Sequence, residues 1–385
     1  MVERKRLAIK FDVGYKYSSG ATIYLINIIN ALNTVPDIQK PEIFILYLPI
    51  APIEDIEATQ YPYLHLVPIR KLQLLYRIIN RVYRNLFMTK KFNLITRKSI
   101  KLKMDAAFSL CIPCDEVLTK KQFIWYADLQ THHNPENYSA YEIKQASDNE
   151  MRNLKARYPI VLSSQWCVDD FYNIHPNYPA PVKRLRFAPT HPLFDHINIS
   201  ELKNKFTITR PYFIVSNQYW VHKNHITVFK AIKMLRDKGI DVLCLCTGSP
   251  TVVSAHAKDY VDNLLAYLNE YKLESNIQFL GFIPREEQLC LLKNSIAIIQ
   301  PSFFESWNTT VEDAKALNKF IILSDLAIHR EQMDYNCAFF NPNSPEELCQ
   351  IMLITIQMKP VIEIRDYTEN IRFFGKNILE VFELI

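Results

Sequence analysis

The sequence predicts an α/β chain of two doubly wound, mostly parallel-sheet domains facing a cleft. Three observations carry this reading. At 385 residues the chain is too long for one ordinary core and fits two domains of about 150 to 190 residues each. Short β-branched or aromatic runs alternate with longer helical patterns, the order that gives parallel strands with right-handed crossovers. The series breaks at Ala188-Pro189-Thr190-His191-Pro192, whose prolines mark a linker.

The first strand series is 7–11, 43–48, 64–68, 105–110, 122–126, 160–163 and 183–187. The second is 212–216, 241–246, 277–280, 296–300, 320–323 and 337–340. Hydrophobic residues at 49% and charged residues at 22% exclude wholesale disorder. No apolar run approaches the roughly 20 residues of a membrane span. Met1 to Arg6 leads straight into a strand-like run without signal-peptide features, so a cytoplasmic location with reduced cysteines is expected. Cys111-Ile112-Pro113-Cys114 lacks a second CxxC or a histidine pair at ligand spacing, which speaks against a zinc or redox site there. Glycine is scarce: six residues, where average usage gives about 27.

The net charge of +5 is unevenly spread. Residues 70–103 hold eleven Lys or Arg and no Asp or Glu, so the rest of the chain sums to −6. Leu72, Leu75, Ile79, Val82 and Leu86 recur there at helical spacing, with Arg77, Arg81 and Arg84 on another face. Two readings stay open: attachment to an anionic membrane surface, or a solvated helix packed by its apolar stripe. No recognition motif accompanies the charge, and nucleic acid is not an expected partner.

Three loops are candidates for chemistry. Gly14 and Gly20 bracket a loop between the first strand and a helix, where backbone can approach an anion or a sugar; a plain tight turn is the alternative. Lys223 follows strand 212–216 and precedes a helix, a place where an ammonium meets a phosphate or is simply solvated. Strand 296–300 runs into a loop holding Glu305, Ser306 and Trp307. Asn308 or Thr309 there can cap a new helix, and Thr309 with Glu312 fits a capping box. Free amides at 308–310 with the helix dipole make a diphosphate site, Glu305 lying one turn before it. Glu312 is read as a cap residue, and Asp313 faces another way.

Tyr212 to Gln332 resembles the donor-binding half of the retaining glycosyltransferases of family 4, the group 1 enzymes of GT-B fold. Glu305 takes the family's first Glu position, and Asp313-Ala314, after seven intervening residues, takes the second with a shortened acid. Lys223 matches the family lysine. Its companion arginine has no counterpart, Asn217 and Gln218 occupying that neighbourhood, and Ser306 replaces a glycine. Thr247-Gly248 and Phe279-Leu280-Gly281 fit two further landmarks. Asp128-Leu129-Gln130-Thr131-His132-His133-Asn134-Pro135 is similar to a family loop carrying a histidine beside the reacting sugar, His133 being the favoured match, and Ser163-Ser164 fits another feature.

The resemblance implies two Rossmann-like domains, an acceptor domain at 1–190 and a donor domain at 205–362, with 363–385 a helix crossing back. It implies retaining transfer from a nucleotide-sugar to a glycan or lipid-linked acceptor, without metal or other cofactor. Lys223 and the amides of Asn308, Thr309 and Thr310 would offset charge on the leaving diphosphate. Glu305 would hold sugar hydroxyls, Asp313 the ribose, and His133 the donor sugar. Gly14, Gly20, Asn217, Gly248, Ser306 and Trp307 complete the expected donor site, with Asp128, Gln130 and His132 toward the acceptor. Two rivals share the fold: an inactive binding or scaffold subunit, favoured by the missing arginine, the serine at 306 in place of glycine and the aspartate at 313 in place of glutamate, and a nucleotide-sugar epimerase.

Overall fold

The computed structural model describes residues 3–11, 20–48, 53–69, 82, 102–250 and 255–385. The loop carrying Gly14 and nearly all of the basic segment 70–103 lie outside the described residues.

Strands β1 (Arg6–Phe11), β2 (Glu42–Tyr47), β3 (Leu64–Pro68), β5 (Ala106–Leu110), β7 (Gln122–Trp125), β8 (Ile160–Leu162) and β9 (Val182–Arg184) form one parallel sheet, ordered β3-β2-β1-β5-β7-β8-β9. Two-residue strands β4 (Leu102–Lys103) and β6 (Val117–Leu118) pair separately and are too short for any periodicity to show. The second sheet is β12 (Ile277–Gly281), β11 (Leu243–Thr247), β10 (Tyr212–Ser216), β13 (Ile298–Gln300), β14 (Ile321–Ser324) and β15 (Cys337–Phe340), in that order and again parallel. The expected runs all become strands; the largest trims are at 183–187, 241–246 and 296–300. After Arg184 the chain leaves the sheet, and Leu185 and Phe187 fill the core between sheet and helix instead.

Helices cover both faces because each strand of a parallel sheet buries both of its sides. In the first domain Tyr24 stacks on Trp125 with centroids 4.1 Å apart, and Phe187 stacks on Tyr24 at 5.3 Å. Into the same core the C-terminal helix Thr368–Val381 inserts Phe374, Ile378 and Leu379. Gly375 lets it come close: a Cβ there would lie 2.3 Å from the Ala31 carbonyl oxygen of helix Gly20–Asn33. Just before this helix, Tyr367 donates from its hydroxyl to Glu312 at 2.5 Å. Glu312 is therefore not a capping residue, which corrects the sequence reading. It is fully buried and also receives Gln332 at 2.9 Å and Lys315 at 3.1 Å, so the returning chain is tied to the second domain. Among the described residues no helix is long and apolar enough to cross a membrane.

Candidate active site

The second sheet reverses its order at β10, which has β11 on one side and β13 on the other. Loops leaving β10 and β13 at their carboxyl ends therefore diverge and open a crevice. From β10 the chain runs through Asn217 and Trp220 into the turn Val221–Lys223, closed by Asn224 at φ 53°. The Asn224 amide donates to the carbonyls of Pro301 and Pro342 at 3.0 and 2.8 Å, which ties the lysine loop to the loop after β13. That second loop ends at Asn308, whose side chain accepts from Val311 N at 3.1 Å and caps helix Thr309–Ala316.

The two loops meet at a buried ion pair. Lys223 Nζ donates to Glu305 Oε1 at 2.6 Å, and Gln300 and Ser302 donate to the same oxygen at 2.9 and 2.6 Å. Burial raises the Glu305 carboxyl, but the charge and hydrogen bond of Lys223, helped by Ser302, outweigh it and hold the group at about 2. Oε2 has no hydrogen bond among the described residues. One carboxylate oxygen thus fixes the group, and the other carries no such tie.

A cavity of about 340 Å³ opens here. Of the expected donor residues, Asn217, Lys223, Gly248, Glu305, Trp307, Asn308, Thr309, Thr310 and Asp313 all line it. Gly248 sits at φ +97°, and a Cβ on it would lie 2.4 Å from the Asn217 carbonyl oxygen; the close pass of β11 against this loop requires glycine. The helix start is less open than the sequence implied. Asn308 N donates to Gln332 Oε1 at 3.1 Å, so only the amides of Thr309 and Thr310 are without an acceptor among the described residues. Ser306 turns away from the cavity: its hydroxyl donates to the Ala127 carbonyl of the first domain. Gly20 opens helix Gly20–Asn33, whose Ile23 reaches the cavity wall.

Asp313 is almost wholly buried and already engaged. Arg285 and His191 both reach its Oδ1, His191 Nε2 at 2.8 Å. Burial raises this carboxyl, yet the Arg285 charge and the His191 hydrogen bond bring it below its usual range. Neither partner was expected. Arg285, at the start of helix Arg285–Asn294, lines the cavity and supplies a cation from an element far from the position where the companion arginine is missing. His191 belongs to the interdomain linker. The only signal for Arg285 was its place shortly after a strand end, and for His191 there was none.

The histidine loop forms the short helix Gln130–His133 across the cleft. Gln130 Nε2 donates to His222 Nδ1 at 2.6 Å, and burial followed by the Lys223 charge pushes the His222 imidazole down to about 4, so that it stays a neutral acceptor. Asp128, Gln130, His222 and Lys223 share a second cavity of about 300 Å³ that adjoins the first through Lys223 and Trp220. Burial raises the Asp128 carboxyl. His133 lines neither cavity; it pairs with Asp170 at 2.6 Å and packs against Phe304 and Trp166, centroids 5.4 and 6.0 Å away. His132 points to the far side, toward Glu150. Cys111 and Cys114 are free thiols, each pushed up to about 12 by burial.

The domains are latched at this cleft. Glu331 accepts from the amides of Gln165 and Trp166, both at 2.9 Å, at the start of helix Gln165–Ile174, and from Arg186 at 3.0 Å. Trp307 Nε1 donates to the Phe187 carbonyl at 3.1 Å.

Residues 198–369 match the family model described as "Glycosyl transferases group 1". The O-antigen chain mannosyltransferase RfbU of Salmonella typhimurium is 24% identical over 149 residues, a stretch spanning 39% of this chain and 39% of the relative's own length. Among solved structures, HepE of Anabaena in complex with UDP and glucose superposes with a TM-score of 0.63 at 13% identity, covering 99% of this chain and 96% of that one. An α,α-trehalose-phosphate synthase of Burkholderia xenovorans, in complex with glucose-6-phosphate, gives 0.64 at 11% identity, covering 99% and 100%. The chain has the GT-B fold of these structures, and its second domain is similar in sequence to the group 1 glycosyl transferases.

Proposed function

We propose that this protein is a retaining glycosyltransferase that moves a sugar from a nucleotide-sugar to a glycan acceptor in polysaccharide biosynthesis. One observation carries the reading: Lys223, Arg285, the free oxygen of Glu305 and the amides of Thr309 and Thr310 converge on one cavity at the sheet's switch point. Those groups suit a sugar joined to a diphosphate. The amides and the helix dipole receive phosphate oxygens, and Lys223 offsets the negative charge that grows as the glycosidic oxygen departs. Glu305 Oε2 accepts from the sugar hydroxyls. UDP and glucose in the HepE complex, and the mannosyltransferase activity named for the Salmonella relative, support this class of donor and acceptor.

A thermal-shift panel of nucleoside diphosphates and nucleotide-sugars tests it. A ligand at 100 times its dissociation constant adds about 2.7 kcal/mol of stability, an easily visible shift. No shift with any member overturns the reading; a shift with no sugar transfer to any acceptor makes the chain a binding subunit instead.

The acceptor is further proposed to be lipid-linked, with the basic run 70–103 meeting an anionic membrane. Each Lys or Arg near such a surface contributes about 1 kcal/mol. Flotation with anionic and neutral vesicles at 0.1 and 1 M salt decides, because screening shortens the Debye length from about 10 to 3 Å. Binding to anionic vesicles at low salt is expected; equal, negligible binding to both ends this part of the proposal.

A further inference from the structure

His132, Glu150 and His175 come from three elements: the last turn of helix Gln130–His133, the interior of helix Ala140–Ala156, and the cap that ends helix Gln165–Ile174. They lie 18 and 25 residues apart in sequence and converge only through the tertiary fold. His132 Nε2 stands 3.1 and 3.0 Å from the two Glu150 oxygens, and His175 Nε2 stands 2.9 Å from Oε1. The three ligand atoms all lie within 4.8 Å of one another. The two imidazoles meet edge to face, with planes at 85° and centroids 6.1 Å apart, so each presents a separate nitrogen to the one carboxylate.

We infer that these three side chains form a binding site for a divalent transition metal of the zinc type. Two nitrogens and one carboxylate oxygen are the donor set of mononuclear zinc sites that keep a fourth position open. Imidazole donors select zinc, nickel or copper over magnesium or calcium, which prefer all-oxygen shells. The spacing of each histidine from the carboxylate fits as well. Ligands about 2.0–2.1 Å from a shared ion in a tetrahedral array stand about 3.3 Å apart, a few tenths of an ångström beyond the 2.9 to 3.1 Å that separate Glu150 from the two imidazoles. A bound ion would take the place of the hydrogens between the two Nε2 atoms and Glu150, and each neutral imidazole would then carry its N–H on Nδ1.

Access and surroundings agree with this assignment. The His132 side chain is 34% exposed, and His132 and Glu150 border a cavity of about 300 Å³ that offers an entry path and room for water at the fourth position. The same short helix carries Gln130, which reaches His222 across the cleft. An ion there would pin the helix to its two neighbours and fix the first-domain side of that bridge. This role is accessory. It is separate from the donor pocket, for which no metal is expected, and does not depend on the transferase reading.

The test uses the untagged full chain, stripped with a chelator, re-dialysed, and titrated calorimetrically with zinc chloride. One equivalent is expected to bind. His175→Ala and Glu150→Gln should each weaken binding by more than the roughly 10–100-fold that loss of a merely supporting residue costs. His133→Ala, whose imidazole is turned to Asp170, should keep it. Cobalt substitution gives a second readout: visible d–d bands in the wild type that vanish in His175→Ala while circular dichroism stays native. Absence of binding in the wild type, or unchanged stoichiometry and affinity in His175→Ala, overturns the inference and leaves the cluster a hydrogen-bonded ion pair.

Discussion

Lys223 and Glu305 meet at 2.6 Å although 82 residues separate them, and each lies on one of the two loops that make the cleft. Their side chains are 18% and 7% exposed, so the contact is a buried one. Removing one partner of such a pair costs about 3–5 kcal/mol, because the other is left charged and unpaired. Lys223→Ala should therefore lower stability on that scale and also weaken nucleoside diphosphate binding. The double variant Lys223→Ala/Glu305→Gln should recover much of the stability and none of the affinity. Chemical denaturation with parallel calorimetric titration checks this; a single variant as stable as wild type would mean the pair is solvated.

Arg285 makes a different prediction. Its guanidinium is the cation of the pocket that the family lysine does not account for, and it bonds Asp313 from the cavity side. A charge-assisted contact is worth roughly 1.5–3 kcal/mol, so Arg285→Gln should weaken diphosphate binding by about 10- to 150-fold. His191 still holds Asp313 at 2.8 Å, and the fold should survive. Unchanged affinity would confine Arg285 to the ion pair.

Acid should destabilise the protein well before its carboxylates titrate. His225 is fully buried, stacks on Tyr219 with centroids 4.6 Å apart, and neither ring nitrogen finds a partner among the described residues. Burial pushes its imidazole down to about 3 and that of His222 to about 4. Both have folded values below the ordinary 6.5, so between pH 6.5 and 4 the unfolded chain binds protons that the folded chain refuses. Stability then falls as pH falls, by about 1 kcal/mol per pH unit for each histidine. Glu305 acts lower: its contribution is whole above its ordinary value of 4.5 and is lost as pH falls toward about 2. His225→Phe should flatten the slope of unfolding free energy between pH 6.5 and 4; an unaltered slope would place the proton uptake elsewhere.

Gly375 probes the returning helix. An added methyl would meet the Ala31 carbonyl oxygen at 2.3 Å, and backbone on both sides leaves nothing flexible to move. Gly375→Ala should cost about 1–3 kcal/mol through overpacking, seen as a lower denaturation midpoint. An alanine variant of wild-type stability would mean the two helices separate freely.

Much of this was legible in the sequence. Strand positions followed from β-branched runs, because a strand buried on both faces has to be apolar nearly throughout, as Tyr212–Ser216 is. That Lys223, Glu305, Thr309 and Thr310 line one cavity could be anticipated because each sits on or next to a loop between a strand end and a helix start, a place defined by local pattern. What escaped was set by distant pairing. Arg285 and His191 converge on Asp313 from 28 and 122 residues away. Glu312 looked like a cap because its local partner was Thr309, while its actual partner, Tyr367, is 55 residues downstream. Nor does spacing reveal that His132 and His133, adjacent in the chain, face Glu150 and Asp170 on different helices.

Whether the cavity around Glu305 binds a nucleotide-sugar and transfers its sugar is decided by following nucleoside diphosphate release from a panel of nucleotide-sugars, with glycan acceptors, for wild type and Glu305→Gln. The wild type is expected to release nucleoside diphosphate from at least one donor, coupled to a glycosylated product that keeps the donor's anomeric configuration, and the variant to lose both with its fold intact. Equal turnover by Glu305→Gln, or product of inverted configuration, would contradict this expectation.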